Sequence, residues 1–188
     1  APVLATVSDV SFDEDESGST SLSAGDVDGD DLSYSITDGT DITATLNGSD
    51  VTFSAPQDFN GSESFTVTVT DGSLDDSQSF TVTVNAVNDA PVANAASVAT
   101  DEDQTIIVSL EANDVDGDAL TYSLDTDASN GSVAIEGSLA TYVPDQDFNG
   151  LDSFIFSVSD DEYIASAEIT VTVNAVNDIP IITSIAPA

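Results

Sequence analysis

The string Val-Asn-Ala-Val-Asn-Asp occurs twice, at Val84 to Asp89 and at Val173 to Asp178, each copy followed by one residue and a proline. The interval is 89 residues in a chain of 188, so the chain divides into two units near the common domain size. Three other motifs recur in the same order. Asp13-Glu14-Asp15 returns at Asp101-Glu102-Asp103, Asp26-Val27-Asp28-Gly29-Asp30 at Asp114-Val115-Asp116-Gly117-Asp118, and Gln57-Asp58-Phe59-Asn60-Gly61 at Gln146-Asp147-Phe148-Asn149-Gly150. The offsets are 88, 88 and 89, which places a single-residue insertion between the second and third motifs. A tandem repeat of this period predicts an array of similar units. The expected boundaries are 1–89 and 90–178, with 179–188 as a tail or the start of a following repeat. The opening Ala1-Pro2 and the close soon after a second repeat boundary are expected of a piece cut from a longer protein, with targeting signals outside it.

Between the motifs the chain alternates with period two. Phe65, Val67 and Val69 alternate with Thr66, Thr68 and Thr70, and Phe80, Val82 and Val84 with Thr81 and Thr83. Phe154, Phe156 and Val158, then Ile169, Val171 and Val173, repeat the pattern. One apolar face per strand is the signature of a sheet packed on one side. Leu32, Tyr34 and Ile36 form an earlier strand, and Asn47-Gly48 marks a hairpin leading to Val51 and Phe53. About seven short strands per repeat, with turn signals between them and no capped helical stripe, predict an antiparallel sandwich. The acidic motifs all fall in the connections, which a sandwich gathers at its two ends.

Asp and Glu number 36 while Lys, Arg and His are absent, giving a formal net charge of −36 at pH 7. Carboxylates a few ångströms apart repel by on the order of 1 kcal/mol or more, so an external cation is the natural partner. The same composition excludes a nucleic-acid surface, which needs Lys or Arg, and attachment to anionic membrane through basic residues. No apolar run is long enough to span a bilayer, so membrane insertion is not expected. With no Cys there is no disulfide framework and no thiolate metal site. Apolar residues still make up 40%, enough for a folded core rather than disorder.

Asp-x-Asp-Gly-Asp at Asp26 and Asp114 spaces carboxylates two apart around a Gly that permits a tight bend, so several hard oxygens can converge on one Ca²⁺. It is not an EF-hand loop, because Gly stands fourth and Thr37 and Asp125 occupy the place of the bidentate Glu. Taken singly, each acidic motif is equally a solvated turn, and Asn88-Asp89-Ala90-Pro91 a plain linker. Their joint recurrence favours the ligand reading. Paired carboxylates can hydrolyse glycosides, but without His, Cys or Lys the usual nucleophile–base pairs are missing, and no enzyme is expected. Asn47-Gly48-Ser49, Asn60-Gly61-Ser62 and Asn130-Gly131-Ser132 match the N-glycosylation pattern and are expected to be tight turns.

These motifs, in this order, resemble cadherin-like repeats, in particular the bacterial cadherin-like (tandem-95-type) repeats of large secreted calcium-dependent adhesins, over essentially the whole chain. The resemblance implies an all-β fold of two tandem Ig-like/cadherin-like Greek-key β-sandwich domains. It also implies Ca²⁺ held by Glu14, Asp58, Asn60, Asn85, Asn88, Asp89, Asp114, Asp116 and Asp160, with a backbone carbonyl near Val87. Asn85 and Asn60 stand where the family has acids, and Asn88 and Asp89 are in swapped order, so one to three ions are expected, at millimolar affinity. Asp26, Asp28 and Asp71 at one end, and Glu102, Asp147, Asn174, Asn177 and Asp178 at the other, would face neighbouring repeats. The implied function is a calcium-rigidified extender of a secreted or bacterial cell-surface adhesin, exported by a type I system. The alternative is a module for polysaccharide or homophilic contacts, for which Tyr163 is the one Tyr outside a strand-like segment.

Overall fold

The computed structural model describes residues 1–179. The chain forms two compact units, Ala1–Val87 and a second that begins at Asn88. The proposed tail 179–188 lies outside the described residues apart from Ile179. No helix is present among the described residues, and none is long and apolar enough to cross a membrane.

In the first unit the strands are β1 (Pro2–Leu4), β2 (Val10–Asp13), β3 (Ser17–Ser21), β4 (Ala24–Asp26), β5 (Ser33–Ile36), β6 (Thr43–Asn47), β7 (Asp50–Ser54), β8 (Gly61–Thr70) and β9 (Asp75–Asn85). Sheets of order β2-β9-β8-β5 and β3-β7-β6 are joined by the short pair β1-β4. The second unit repeats this with β10 (Val92–Ala93), β11 (Ala96–Asp101), β12 (Ile106–Ser109), β13 (Ala112–Asn113), β14 (Thr121–Thr126), β15 (Gly131–Glu136), β16 (Leu139–Pro144), β17 (Gly150–Ser159) and β18 (Ile164–Asn174). Its sheets are ordered β11-β18-β17-β14, β12-β16-β15 and β10-β13.

Each unit therefore has more segments than the seven strands expected. The first and second strands are each broken in two: β1 leaves β2 after Leu4 to pair with β4, and Leu22-Ser23 separates β3 from β4. The fold is also not purely antiparallel, because β2 runs parallel to β9, and β11 to β18. Pairing the first strand with the last closes each unit on itself.

Inward residues of the alternating strands form one core per unit. Phe53, Phe65 and Phe80 meet edge-on or tilted at centroid distances of 5.4, 5.9 and 6.3 Å, surrounded by buried Val51, Val67, Val69 and Val82. In the second unit Tyr142, Phe154, Phe156, Val158, Ile169 and Val171 take that place. Each such side chain contributes about 1.5–3 kcal/mol on burial. Tyr34 and Tyr122 pack against these cores, whereas Tyr163 is 41% exposed.

The hairpin marked by Asn47-Gly48 turns one residue later than that dipeptide suggests. Asn47 pairs with Asp50, so Gly48 and Ser49 make the turn, with Gly48 at φ 65°. Glu136 and Leu139 pair the same way around Gly137, at φ 57°. Gly at the first turn position is thus the common requirement, and Asn is not. Gly61 and Gly131 open strands rather than hairpin turns.

Candidate metal centres

In the second unit the Asp-x-Asp-Gly-Asp loop follows β13 and bends at Gly117, φ 80°. Asp114 Oδ1 accepts the N–H groups of Asp116 (2.9 Å) and Asp118 (3.4 Å). Its Oδ2 is buried and finds no hydrogen-bond partner among the described residues. Carboxylate oxygens of Asp114, Asp116 and Asp118 lie within 4.8 Å of one another. Asp116 Oδ2 accepts the Asp89 N–H at 2.8 Å. Asp160, in the turn between β17 and β18, accepts the N–H groups of Glu162 and Tyr163 on Oδ1, and the Asn88 side-chain amide on Oδ2 at 3.0 Å. The Tyr163 N–H, more than any other contact, holds Asp160 below the usual carboxylate range. Hydrogen bonds thus join Asn88 to Asp160, Asp89 to Asp116 and Asp116 to Asp114.

The first unit builds the same loop. Asp26 Oδ1 accepts the Asp28 and Gly29 N–H groups at 2.8 and 3.0 Å, and Asp71 Oδ1 those of Ser73 and Leu74 at 2.8 and 2.7 Å. The Ala1 ammonium stands 3.0 Å from Asp26, 3.5 Å from Asp28 and 3.9 Å from Asp71, although the Asp26 side chain is only 1% exposed. Its hydrogen bond to Asp26 lowers that carboxyl's pKa and raises the amine's.

The opposite end of each unit carries the Asp-Glu-Asp motif after β2 or β11. Glu102 is 6% exposed; its Oε1 accepts the Val176 N–H and its Oε2 the Asn149 side-chain amide. Asp103, Asp147 and Asp178 bring carboxylate oxygens within 4.8 Å. Burial, then the charges of Asp147, Glu102 and Asp103, push the Asp178 carboxyl upward. In the first unit Glu14, 5% exposed, accepts the Val87 N–H on Oε1, while Oε2 is buried without a partner among the described residues. Asp15 Oδ1 accepts the Asp58 N–H at 3.2 Å, as Asp103 does that of Asp147. All four of these Asp residues have left-handed backbones, φ 57–63°, a region where Asp is tolerated.

Three expected ligands sit differently from the simple carry-over. Asn85 donates to Asp13 (2.9 Å) and Ser11 (3.1 Å), which ties its side chain to β2. Val87 meets Glu14 through its N–H. Asn60 is exposed, and its equivalent Asn149 donates to a carboxylate. Asp15 and Asp118 were missed as ligand candidates. The repetition of the third Asp in both motifs was the available signal.

The donor set consists of hard oxygens, with no His or Cys in the chain. Two orphaned buried carboxylate oxygens, on Glu14 and Asp114, fit Ca²⁺ better than softer metals. Glu14, Asp58, Asp114 and Asp116 are the residues that would hold it, whereas Asp160 has both oxygens on protein donors.

The model of the bacterial Ig domain family matches residues 1–85 and again 88–174. No curated protein matches the sequence. Among solved structures, human protocadherin-24 EC1-2 (form II) aligns over 93% of this chain and 99% of its own, with 16% identity and a TM-score of 0.57. Protocadherin gamma B7 domains 1–4 align over 95% and 52%, with 15% identity and a TM-score of 0.51. An endo-fucoidan hydrolase of glycoside hydrolase family 107 aligns at 24% identity and a TM-score of 0.41; the chain covers 94% of itself there but only 29% of that enzyme.

Proposed function

Since the chain belongs to the bacterial Ig domain family, as two tandem copies with a cadherin-like fold, we propose that it is a calcium-binding extender segment of a secreted or cell-surface bacterial adhesin. The observation that carries this reading is the sealed, unpartnered Oδ2 of Asp114 beside Asp116 and Asp118, in a chain with no cationic side chain. A buried carboxylate oxygen without a partner is costly, and a hard cation removes that cost.

The stiffness we infer rests on how each unit ties down its own part of the linker. Val87 is anchored to Glu14 of the first unit, and the next residue, Asn88, to Asp160 of the second. An ion at Glu14 and Asp58 orders one side of the Val87–Asn88 peptide, and an ion at Asp114 and Asp116 orders the other. Without the ion, like charges at those positions repel and the joint loosens. Stiffened repeats give an adhesin reach, and the role is structural rather than enzymatic. Affinity at the 10⁻⁴–10⁻³ M level of extracellular modules, roughly, suits a site exposed to external calcium.

X-ray scattering and thermal melting, each with calcium and with chelator, test the reading. Calcium is expected to raise both the maximum dimension and the melting temperature, and Asp116→Ala to weaken calcium binding by about tenfold or more, ~1.4 kcal/mol or above. Unchanged dimension and melting temperature on chelation would sink it.

A further inference from the structure

The two units share one scaffold, yet around a central Thr common to both, Thr52 and Thr141, the outer face of the three-stranded sheet differs between them. In the second unit Ile107 on β12 and Ala134 on β15 flank Thr141 of β16 from either side. Leu139 and Val143 lie two residues before and after Thr141 on the same face, because strand side chains alternate. Ile107 is 64% exposed, Leu139 48% and Val143 44%. Together they set four apolar side chains around Thr141 on one face.

At the equivalent positions of the first unit, Ser19 and Thr45 flank Thr52, with Asp50 and Ser54 along β7. All five are exposed. Both sheets have the same order and the same inward residues facing a core. The fold therefore does not require apolar residues on this face, since one unit forms it with hydroxyls and a carboxylate. Scattered apolar residues on a surface need no explanation, but a cluster in one of two otherwise equivalent repeats marks a contact surface.

The rim decides what can cover it. Asp103 and Glu111 flank β12, Glu136 ends β15 and Asp145 follows β16; all are exposed. No Lys, Arg or His exists anywhere in the chain to offset them. A second copy would bring the same acidic rim against this one. The geometry points to a docking face for a different protein, through a segment with a short apolar centre and Lys or Arg at both ends. The centre would cover Ile107, Thr141 and their neighbours, and the basic ends would meet the acidic rim, which favours association with cationic partners and disfavours anionic ones.

The probe is a synthetic peptide with a Val-rich centre and lysines at both ends, titrated by fluorescence anisotropy against the full chain in calcium at physiological salt. Two control peptides carry a Ser centre or glutamate ends. The lysine-ended, Val-centred peptide is expected to bind and both controls to bind at least about tenfold more weakly. The variant Ile107→Ser, Leu139→Asp, Val143→Ser, which gives this face the residues of the first unit, is expected to lose that tenfold preference with its melting temperature retained. The reciprocal variant Ser19→Ile, Asp50→Leu, Ser54→Val, with Ser23→Glu, Asn47→Glu and Pro56→Asp to supply the acidic rim, is expected to raise the stoichiometry from one peptide to two, a readout that does not depend on the loss variant folding. Equal binding of the Val- and Ser-centred peptides, or an unaltered preference in the loss variant, overturns the proposal. So does sedimentation showing self-association of the wild type that the loss variant abolishes, which would make a second copy the occupant.

Discussion

Replacing Tyr142 by Phe tests how an acid is buried in a chain that has no base to pair with it. Asp152 is 7% exposed and its carboxylate accepts four donors: the N–H groups of Ser129 (3.0 Å), Asn130 (2.9 Å) and Ser153 (3.0 Å), and the Tyr142 hydroxyl (3.0 Å). In the first unit the equivalent residues are Glu63 and Phe53, and Glu63 reaches the Thr40 and Asp41 N–H groups with no hydroxyl to help. A hydrogen bond to a charged group is worth about 1.5–3 kcal/mol. Three backbone donors remain after Tyr142→Phe, so the loss should fall near the lower end, about 1.5 kcal/mol. For a domain of this size that is a drop of about 6–12 °C in the melting of the second unit alone. Burial raises the Asp152 carboxyl, but the backbone donors and the Tyr142 hydroxyl outweigh it and the net shift is downward. The lowered acid contributes stability above its unfolded pKa that is lost as pH falls below about 4. Burial, reinforced by Asp152, raises the Tyr142 hydroxyl above 10.0, so the second unit also loses stability as pH climbs past the unfolded value, where only the unfolded tyrosine ionises. Calorimetry resolving the two transitions reads all of this. Equal melting of wild type and Tyr142→Phe in the second unit, or a fall confined to the first, would refute the account.

Asp161→Gly should raise the melting temperature of the second unit by a few degrees in thermal denaturation. Asp161 holds φ 84° where the first unit has Gly72 at φ 90°, and relieving a left-handed non-Gly backbone is worth about 1 kcal/mol. Gly39→Ala should destabilise the first unit by about 2 kcal/mol or more in urea titrations, because a Cβ there lies 2.1 Å from the Ile42 carbonyl and 2.4 Å from Glu63 Oε2. Asn85→Ala should leave calcium affinity within about twofold in calorimetric titration, since its side chain bonds Asp13 and Ser11, whereas Asp114→Asn should weaken calcium binding by about tenfold.

The two repeats, their β class and their inward residues could be read from period-two alternation, because burial on one face writes itself directly onto sequence. Positions that depend on what lies across the core could not. Phe53, Glu63, Gly39 and Ile42 are replaced by Tyr142, Asp152, Ala128 and Gly131, and no one of these swaps makes sense alone. Gly131 is required where a Cβ would meet the Val143 carbonyl at 2.6 Å and the Tyr142 ring at 2.7 Å, and Gly39 where it would meet the Ile42 carbonyl at 2.1 Å and Glu63 Oε2 at 2.4 Å. The set is one exchange of volume and hydrogen bonds among four residues carried on three successive segments, which no single local pattern covers. Of the candidate site, Glu14, Asp58, Asp114 and Asp116 stand in recurring motifs and Asp160 comes from the family resemblance alone, while the diversion of Asn85 onto Asp13 depends on the parallel register of β2 with β9, which no local pattern encodes.

How each oxygen is used separates acids fully engaged by protein donors from the candidate ligands. Asp152 has both oxygens engaged by protein donors, and Glu102 has Oε1 on Val176 and Oε2 on Asn149. Asp114 and Glu14 each commit one oxygen to holding a loop or a strand end and keep the other sealed and without a partner among the described residues. The committed oxygen fixes the rotamer, so the remaining one is already aimed, and little side-chain entropy is left to lose when a cation arrives. Glu14 and Glu102 make the contrast within one motif. Asn149 turns its amide onto Glu102, but the Glu14 Oε2 takes no such bond from Asn60. Neutralising Glu14 with Gln should therefore cost calcium affinity with little change in the stability of the calcium-free chain, whereas Asp152→Asn should do the reverse, because only there does the carboxylate already have every partner it can use.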